Sequence, residues 1–155
     1  MATNGTNGVN GASKHRDLNI CIAGAGMGGL TCALALAKRG FTNINVYETA
    51  SNLGFVGAGI QMAPNMARIL DRLGCWDDIW PDATDIKEAS IRQHDTEKEL
   101  SHVMMPHIRE EYGYPHMVGH RSKLAGGIFD NCKRQDKAVN FFWRSTISKV
   151  VAFTP

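Results

Sequence analysis

The sequence lacks any long apolar run and any large surplus of one charge. No stretch approaches the roughly 18 consecutive apolar residues that indicate a membrane-spanning helix. Its 17 basic and 15 acidic side chains give a formal net charge of +2, so the basic surplus typical of nucleic-acid-binding domains is missing. We therefore expect no membrane span and no nucleic-acid partner.

Paired cysteines and an export signal are also missing. None of the four cysteines forms a CxxC pair. The first 16 residues, "MATNGTNGVNGASKHR", contain no apolar core of the kind that a secretory signal needs. We predict reduced thiols and a cytoplasmic location. The same 16 residues are rich in Asn, Gly and Thr, so we predict a disordered tail over 1–16.

A strand, a helix and a second strand are predicted next in the chain. The apolar run 18–23 reads as a strand buried on both faces. A helix is expected over 29–39, and "NINVYE" reads as a second strand that ends at Glu48. This order and length suit a parallel β-α-β crossover. The predicted fold class is α/β with a Rossmann-like unit.

Three glycines mark the junction between the first strand and its helix. Gly24, Gly26 and Gly29 form the pattern G-x-G-x-x-G. In such a motif the first glycine permits a tight turn, the second lets a phosphate approach the backbone, and the third allows the helix to pack closely on the strand. The helix N-terminus attracts the pyrophosphate of a dinucleotide.

Glu48 supplies the second part of this prediction. It follows Gly29 by 19 residues, close to the spacing at which an acid binds ribose hydroxyls. A carboxylate disfavours NADP, whose 2′-phosphate it would repel. The unit alone does not separate FAD from NAD, and a glycine-rich turn without a ligand is the remaining alternative.

Further elements follow along the chain. We predict a hairpin over 89–105 around the turn "DTEKE", a strand at "HMVGH", and final strands at "VNFFW" and "STISKVVAF". A helix with Pro64 near its start is predicted to bury four side chains: Met66, Ile69, Leu70 and Leu73. A later helix is predicted to carry four further side chains on one face: Leu124, Ile128, Phe129 and Cys132.

Other candidate sites are weaker. The histidine pairs 102/107 and 116/120 have no nearby third ligand, so we predict no metal site. No arrangement of nucleophile and base is defined by spacing, and the catalytic residues stay unknown. Five aromatic residues are expected in the core rather than in a stacking platform: Trp76, Trp80, Phe141, Phe142 and Trp143.

Three separated motifs together resemble a known family. They are "ICIAGAGMGGLTCALALAKRGFTNINVYE", "VGAGIQMAPNMARILDRLG" and "GHRSKL". In this order they resemble the salicylate hydroxylase-like, FAD-dependent aromatic hydroxylases, which are group A flavoprotein monooxygenases. The resemblance covers residues 18 to about 153.

The resemblance implies where FAD binds. Gly24, Gly26 and Gly29 would surround the diphosphate and Glu48 would hold the adenosine ribose. Two small residues of "GAGI" and one arginine would add contacts near the flavin: Ala58, Gly59 and Arg121. The family has an acid soon after that arginine, whereas this chain has "RSKL", in which Ser122 is expected to cap the helix.

The resemblance also implies a domain organisation and an activity. Residues 17–155 would form a partial FAD-binding domain, interrupted over 85–118 by an inserted antiparallel β segment of a substrate domain. "VNFFW" would return to the sheet beside the second strand. The whole enzyme would use FAD, NAD(P)H and O2 to hydroxylate an aromatic or related small organic substrate.

This chain is expected to be incomplete relative to the family, because later family motifs are missing from it. The alternatives are a truncated, non-catalytic nucleotide-binding fragment and an NAD-dependent oxidoreductase. The sequence does not indicate the oligomeric state.

Overall fold

The computed structural model describes residues 16–54, 57–135 and 137–152. They divide into two compact units. Unit 1 comprises the described residues up to Leu53 and from Cys132 onward, and unit 2 is Gly54–Asn131. The insertion predicted over 85–118 lies within unit 2. The predicted tail falls outside the described residues except for Arg16, whose carbonyl oxygen accepts the Thr42 N–H at 3.5 Å.

The described residues form eight strands and four α-helices. The strands are β1 (Ile20–Ala23), β2 (Ile44–Tyr47), β3 (Gly59–Met62), β4 (Thr84–Asp85), β5 (Glu88–Arg92), β6 (Glu99–Met104), β7 (Met117–His120) and β8 (Val139–Phe142). The helices are α1 (Met27–Lys38), α2 (Pro64–Arg72), α3 (Ile108–Tyr112) and α4 (Arg121–Lys133).

Unit 1 contains a parallel sheet in the order β1-β2-β8. Ile44 of β2 lies opposite Ile20 of β1 and Val139 of β8. The prediction that "VNFFW" returns beside the second strand is therefore confirmed. Helix α1 connects β1 to β2 and packs against the sheet. It begins at Met27, two residues before the predicted start.

Only one face of this sheet is well buried. Ile44 and Val46 are fully buried on the same face, whereas Cys21 and Ala23 of β1 are exposed on the other. The prediction that the first strand is buried on both faces is therefore wrong. Successive side chains alternate between the two faces of a strand, and the exposed face carries a stacked pair, Tyr47 and Phe142, with ring centroids 4.8 Å apart.

The chain leaves the sheet after β8. Arg144 has a φ of +53°, and its N–H donates to the Ala50 carbonyl oxygen at 3.0 Å. The next N–H, of Ser145, donates to the Glu48 carbonyl oxygen at 2.8 Å. The described residues 145–152 form no strand, so the strand predicted at "STISKVVAF" is wrong there. These bonds turn the chain toward the end of β2 instead of extending a ladder.

Unit 2 contains the antiparallel sheet β3-β7-β4 and the separate hairpin β5-β6. The predicted strand at "HMVGH" and the predicted hairpin are both observed. Helix α2 begins at Pro64 as predicted, but its buried residues are Ala67 and Leu70, and Ile69 is 51% exposed. Ile69 lies about 200° around the helix from Ala67, so one narrow buried face does not include both.

Helix α4 buries Leu124, Ile128 and Cys132, in agreement with the predicted face, and Phe129 is half-buried. Gly127 is required by a close contact, because a Cβ there would lie 2.5 Å from Ile79 Cγ1. The glycine that weakens the helix locally thus permits tight packing in unit 2.

The aromatic residues are less buried than predicted. Trp76 is buried, but Trp80 and Phe142 are 44% and 42% exposed, so the core prediction is wrong for these two. Phe141 stacks on Trp143 with centroids 5.6 Å apart. Trp80 is the first residue of a short 3-10 helix, Trp80–Asp82, and Phe142 is the last residue of β8.

The described residues contain no helix with the length and apolarity required to cross a membrane. In the same part of the chain, no three His, Cys, Asp or Glu side chains are grouped so that they could hold a metal ion. His116 and His120 lie about 13 Å apart along the extended chain.

Candidate functional site: a glycine junction and an anchored glutamate

Gly24 turns the chain from β1 into α1. Its φ is +97°, a left-handed conformation that side chains disfavour. The Gly24 N–H donates to the Tyr47 carbonyl oxygen at 2.7 Å, so the turn is fastened to the end of β2. The junction therefore lies where the parallel strands end, which is the usual ligand-binding edge of such sheets.

The N-terminus of α1 is open. Gly26 is the N-cap residue, and no side chain caps the helix or places an acid in its first turn. The Leu30 N–H donates to the Gly26 carbonyl oxygen at 2.9 Å, but earlier N–H groups of an α-helix have no partner within it. A Cβ at Gly26 or Gly28 would meet nothing within 4 Å. Within the part of the chain that the structure describes, this positive helix end therefore has no side-chain cap.

Gly29 has a different role from Gly26. A Cβ at Gly29 would overlap the Gly24 carbonyl oxygen and lie 3.3 Å from Ile22 Cγ2. The third glycine of the motif thus allows α1 to lie close to β1. One motif contains both a position closed by packing and a position open to a ligand.

Glu48 is fastened to this junction by backbone N–H groups. Its Oε2 accepts the Ala25 N–H at 2.8 Å, and its Oε1 accepts the Ala50 N–H at 2.8 Å. These bonds, from Ala50 first and then Ala25, lower the pKa of Glu48 below its ordinary value because they favour the charged form. The carboxylate is therefore ionised and held beside the glycine turn.

The other predicted site residues form a second cluster, in unit 2. The Arg121 N–H donates to the Ala58 carbonyl oxygen at 3.0 Å. Gly59 pairs with His120 across β3 and β7, and a Cβ at Gly59 would meet nothing within 4 Å. The Arg121 side chain is exposed and has no hydrogen-bond or ion-pair partner among the described residues.

The start of α4 differs from the expectation. Because the helix begins at Arg121, Ser122 lies in its first turn and is not the cap residue. Its hydroxyl is hydrogen-bonded to His120 Nδ1. A Cβ on Gly57 would overlap the same imidazole ring. Gly57 and His120 were not predicted from the sequence, because a contact between residues so distant in the chain leaves no local pattern.

The structure thus brings Gly24, Gly26, Gly29 and Glu48 together in unit 1. It brings the three remaining predicted residues together in unit 2: Ala58, Gly59 and Arg121. Ala25 and Ala50, which hold the carboxylate of Glu48, were not predicted either. They act through backbone N–H groups, which any non-proline residue carries, so no sequence signal marks them.

Several known proteins resemble this chain in sequence. Residues 22–73 match the NAD(P)-binding Rossmann-like domain family. The chain is 39% identical to 3-hydroxybenzoate 6-hydroxylase 1 of Aquipseudomonas alcaligenes over 117 residues, which are 75% of this chain and 29% of that protein. It is 33% identical to the FAD-dependent monooxygenase pynG of Aspergillus niger over 96 residues, which are 62% of this chain and 22% of that protein.

A solved structure shows the same likeness. A mutant of 2-methyl-3-hydroxypyridine-5-carboxylic acid oxygenase superposes with a TM-score of 0.68 at 27% identity, over 82% of this chain and 31% of that chain. The chain spans less than a third of each of these three proteins. Its named relatives and structural neighbours are thus FAD-dependent aromatic hydroxylases, and the chain corresponds to an N-terminal portion of them.

Proposed function

We propose that the glycine junction of unit 1 binds the adenosine diphosphate part of FAD. We further propose that the chain is the cofactor-binding portion of a monooxygenase that uses NAD(P)H and O2 to hydroxylate an aromatic or related small organic substrate. Relatives with aromatic hydroxylase names support the reaction class. The open helix end beside Glu48 supports the cofactor.

The junction fits a diphosphate. The N-terminus of α1 offers unpaired N–H groups and a partial positive charge. Gly26 and Gly28 have free space where a Cβ would be, so phosphate oxygens can approach the backbone. These residues bind and orient the cofactor, and they supply no reacting group.

Glu48 fits the ribose. Each of its carboxylate oxygens accepts one backbone N–H, and each can accept a second hydrogen bond because it has a second lone pair. Two ribose hydroxyls can therefore donate to an oxygen pair that is already in place. The negative charge would repel a 2′-phosphate, so the site favours FAD or NAD over NADP.

The second cluster offers further contacts. The exposed guanidinium of Arg121 can donate to a phosphate or to a flavin carbonyl oxygen. Two small residues, Ala58 and Gly59, lie beside Arg121. Bound FAD supplies the redox chemistry of hydroxylation, while the protein binds it and excludes water. No residue of this chain is proposed as catalytic.

A cytoplasmic location is proposed from the state of the cysteines. The thiols of Cys75 and Cys132 donate to the carbonyl oxygens of Leu70 and Leu30 at 3.3 Å each. A reduced thiol can make such a contact, and reducing compartments keep thiols reduced.

The observation that carries the proposal is that a Cβ has free space at Gly26 but not at Gly29. This contrast defines the experiment. Gly26→Ala would place a methyl group over the open helix end, where it obstructs a phosphate but no protein atom. We expect FAD affinity, measured by flavin fluorescence titration, to fall about tenfold or more, which corresponds to about 1.4 kcal/mol. Urea unfolding of the apoprotein should change by no more than about 1 kcal/mol, the cost of alanine at an N-cap. Unchanged FAD affinity of the Gly26 variant would contradict the proposal.

Binding and turnover are tested separately, because the chain spans less than a third of the relatives compared. FAD and NAD⁺ titrations in parallel decide between the flavoprotein and the NAD-dependent oxidoreductase. Oxygen uptake with NADPH or NADH and 3-hydroxybenzoate then shows whether these 155 residues act as an enzyme or only as a nucleotide-binding fragment.

A further inference from the structure

The imidazole of His120 is held between two segments of unit 2. On one side it occupies the space that a side chain on Gly57 would need, because a Cβ there would overlap Cε1 and Nε2 of the ring. On the other side its Nδ1 is hydrogen-bonded to the Ser122 hydroxyl in the first turn of α4. The ring therefore joins the residues before β3 to the start of the helix.

Backbone contacts also connect these two segments of unit 2. The Arg121 N–H donates to the Ala58 carbonyl oxygen at 3.0 Å, and Gly59 lies opposite His120 in the β3-β7 ladder. This hydrogen bond, the ladder pair and the His120 ring thus hold the segment 57–59 against residue 121. The Arg121 side chain itself has no partner among the described residues, so only its backbone is constrained.

We propose that His120 is a positioning residue for cofactor binding, an inference that rests on the proposed function. Its ring packs on Gly57 and is hydrogen-bonded to Ser122, and it thereby fixes the backbone of residues 57–59 against the first turn of α4. Arg121, Ala58 and Gly59 are thereby presented to FAD in one arrangement. His120 acts through these residues and touches no reacting atom.

A double-mutant cycle on FAD affinity tests this role. In the full chain, His120→Ala should weaken FAD binding about tenfold, whereas the loss in the pair His120→Ala and Arg121→Ala should be smaller than the sum of the two single losses. His116→Ala, in the same extended segment but away from Gly57, is the matched control and should stay within about twofold of wild type. Additive losses would overturn the proposal, because His120 would then act independently of Arg121.

The contact with Gly57 gives a second test. Gly57→Ala should weaken FAD binding because its methyl group displaces the ring, and in a His120→Ala background, where the ring is absent, Gly57→Ala should cause no further loss. A further loss in the double variant would overturn the proposal. Ser122→Ala removes only the hydrogen bond to the ring and serves if His120→Ala does not fold. It should weaken FAD binding without changing the thermal unfolding of the apoprotein, and wild-type affinity in this variant would also overturn it.

The two proposals fail in different ways. If wild type does not bind FAD, the proposed function fails and this inference fails with it. If wild type binds FAD and the cycle is additive, only the role of His120 is lost.

Discussion

Glu48 links the charge state of one side chain to the stability of unit 1. Its carboxylate accepts two backbone N–H groups, and its pKa is lowered by them. Because the folded-state pKa lies below the unfolded one, the stabilisation is complete above the unfolded pKa and is lost as pH falls through the folded pKa. We expect the gap in unfolding free energy between wild type and Glu48→Gln to narrow as pH drops below about 4.5, the ordinary pKa of a glutamate.

Urea unfolding of both proteins at pH 7 and pH 3 measures this gap. The difference is used because Glu99 also has a lowered pKa, caused first by the Ser90 hydroxyl, and it titrates in both proteins. A gap that is the same at both pH values would show that Glu48 is not held by its backbone donors.

Gly28 and Gly29 are adjacent in α1 but face different surroundings. Gly29→Ala should lower the free energy of unfolding by about 1–3 kcal/mol, because its Cβ overlaps the Gly24 carbonyl oxygen. Gly28→Ala should raise it by up to about 1 kcal/mol, since alanine favours a helix and its Cβ meets open space. Chemical denaturation of the two apoproteins checks the opposite signs, and equal effects would contradict the close approach of α1 to β1.

The residues that could be predicted from sequence are those whose role depends on a local pattern. The spacing of Gly24, Gly26 and Gly29, together with the acid at Glu48, is enough to indicate a nucleotide site. The seating of His120 on Gly57 depends on shape complementarity between distant segments, and the amino-acid order does not encode it locally.

Gly127 is unfavourable for helix α4 itself, but the close packing of Ile79 against the helix requires it. Gly127→Ala raises helix propensity but places a methyl group 2.5 Å from Ile79 Cγ1. We expect a net loss of about 1–3 kcal/mol in unfolding free energy. The same change in an Ile79→Ala background should be neutral or stabilising, and a loss of the same size there would exclude Ile79 as the cause.

The type of an element was predictable where its periodic pattern was long. The prediction failed where tertiary contacts determine the structure. The helices beginning at Met27 and Pro64 and the hairpin followed from periodicity and turn residues. The strand predicted after Trp143 did not form, because Arg144 and Ser145 bond back to the end of β2. Ile69 was assigned to the core because its spacing places it on one helical stripe with Leu70, but the buried face of α2 excludes it.

At the scale of the molecule, the hairpin β5-β6 exposes apolar side chains. Ile91 and Val103 are 61% and 45% exposed and share one face of the hairpin by their register. Exposed apolar faces and strand edges promote association. We expect Ile91→Lys with Val103→Lys to reduce the apparent mass at high concentration in light scattering, with an unchanged far-UV circular dichroism spectrum.

Glu97→Lys is the control for charge, because it adds a positive side chain at the exposed turn without removing apolar surface. It should leave the concentration dependence close to that of wild type. An equal reduction in the control would assign the effect to net charge and not to the apolar face.

The three tryptophans are divided between the two units. Trp143 lies in unit 1, stacked on Phe141, while Trp76 and Trp80 lie in unit 2. Replacing the latter two by phenylalanine leaves one indole, in unit 1. Its emission then follows the unfolding of unit 1, so a comparison with total ellipticity shows whether the two units lose their structure in one cooperative transition or in succession.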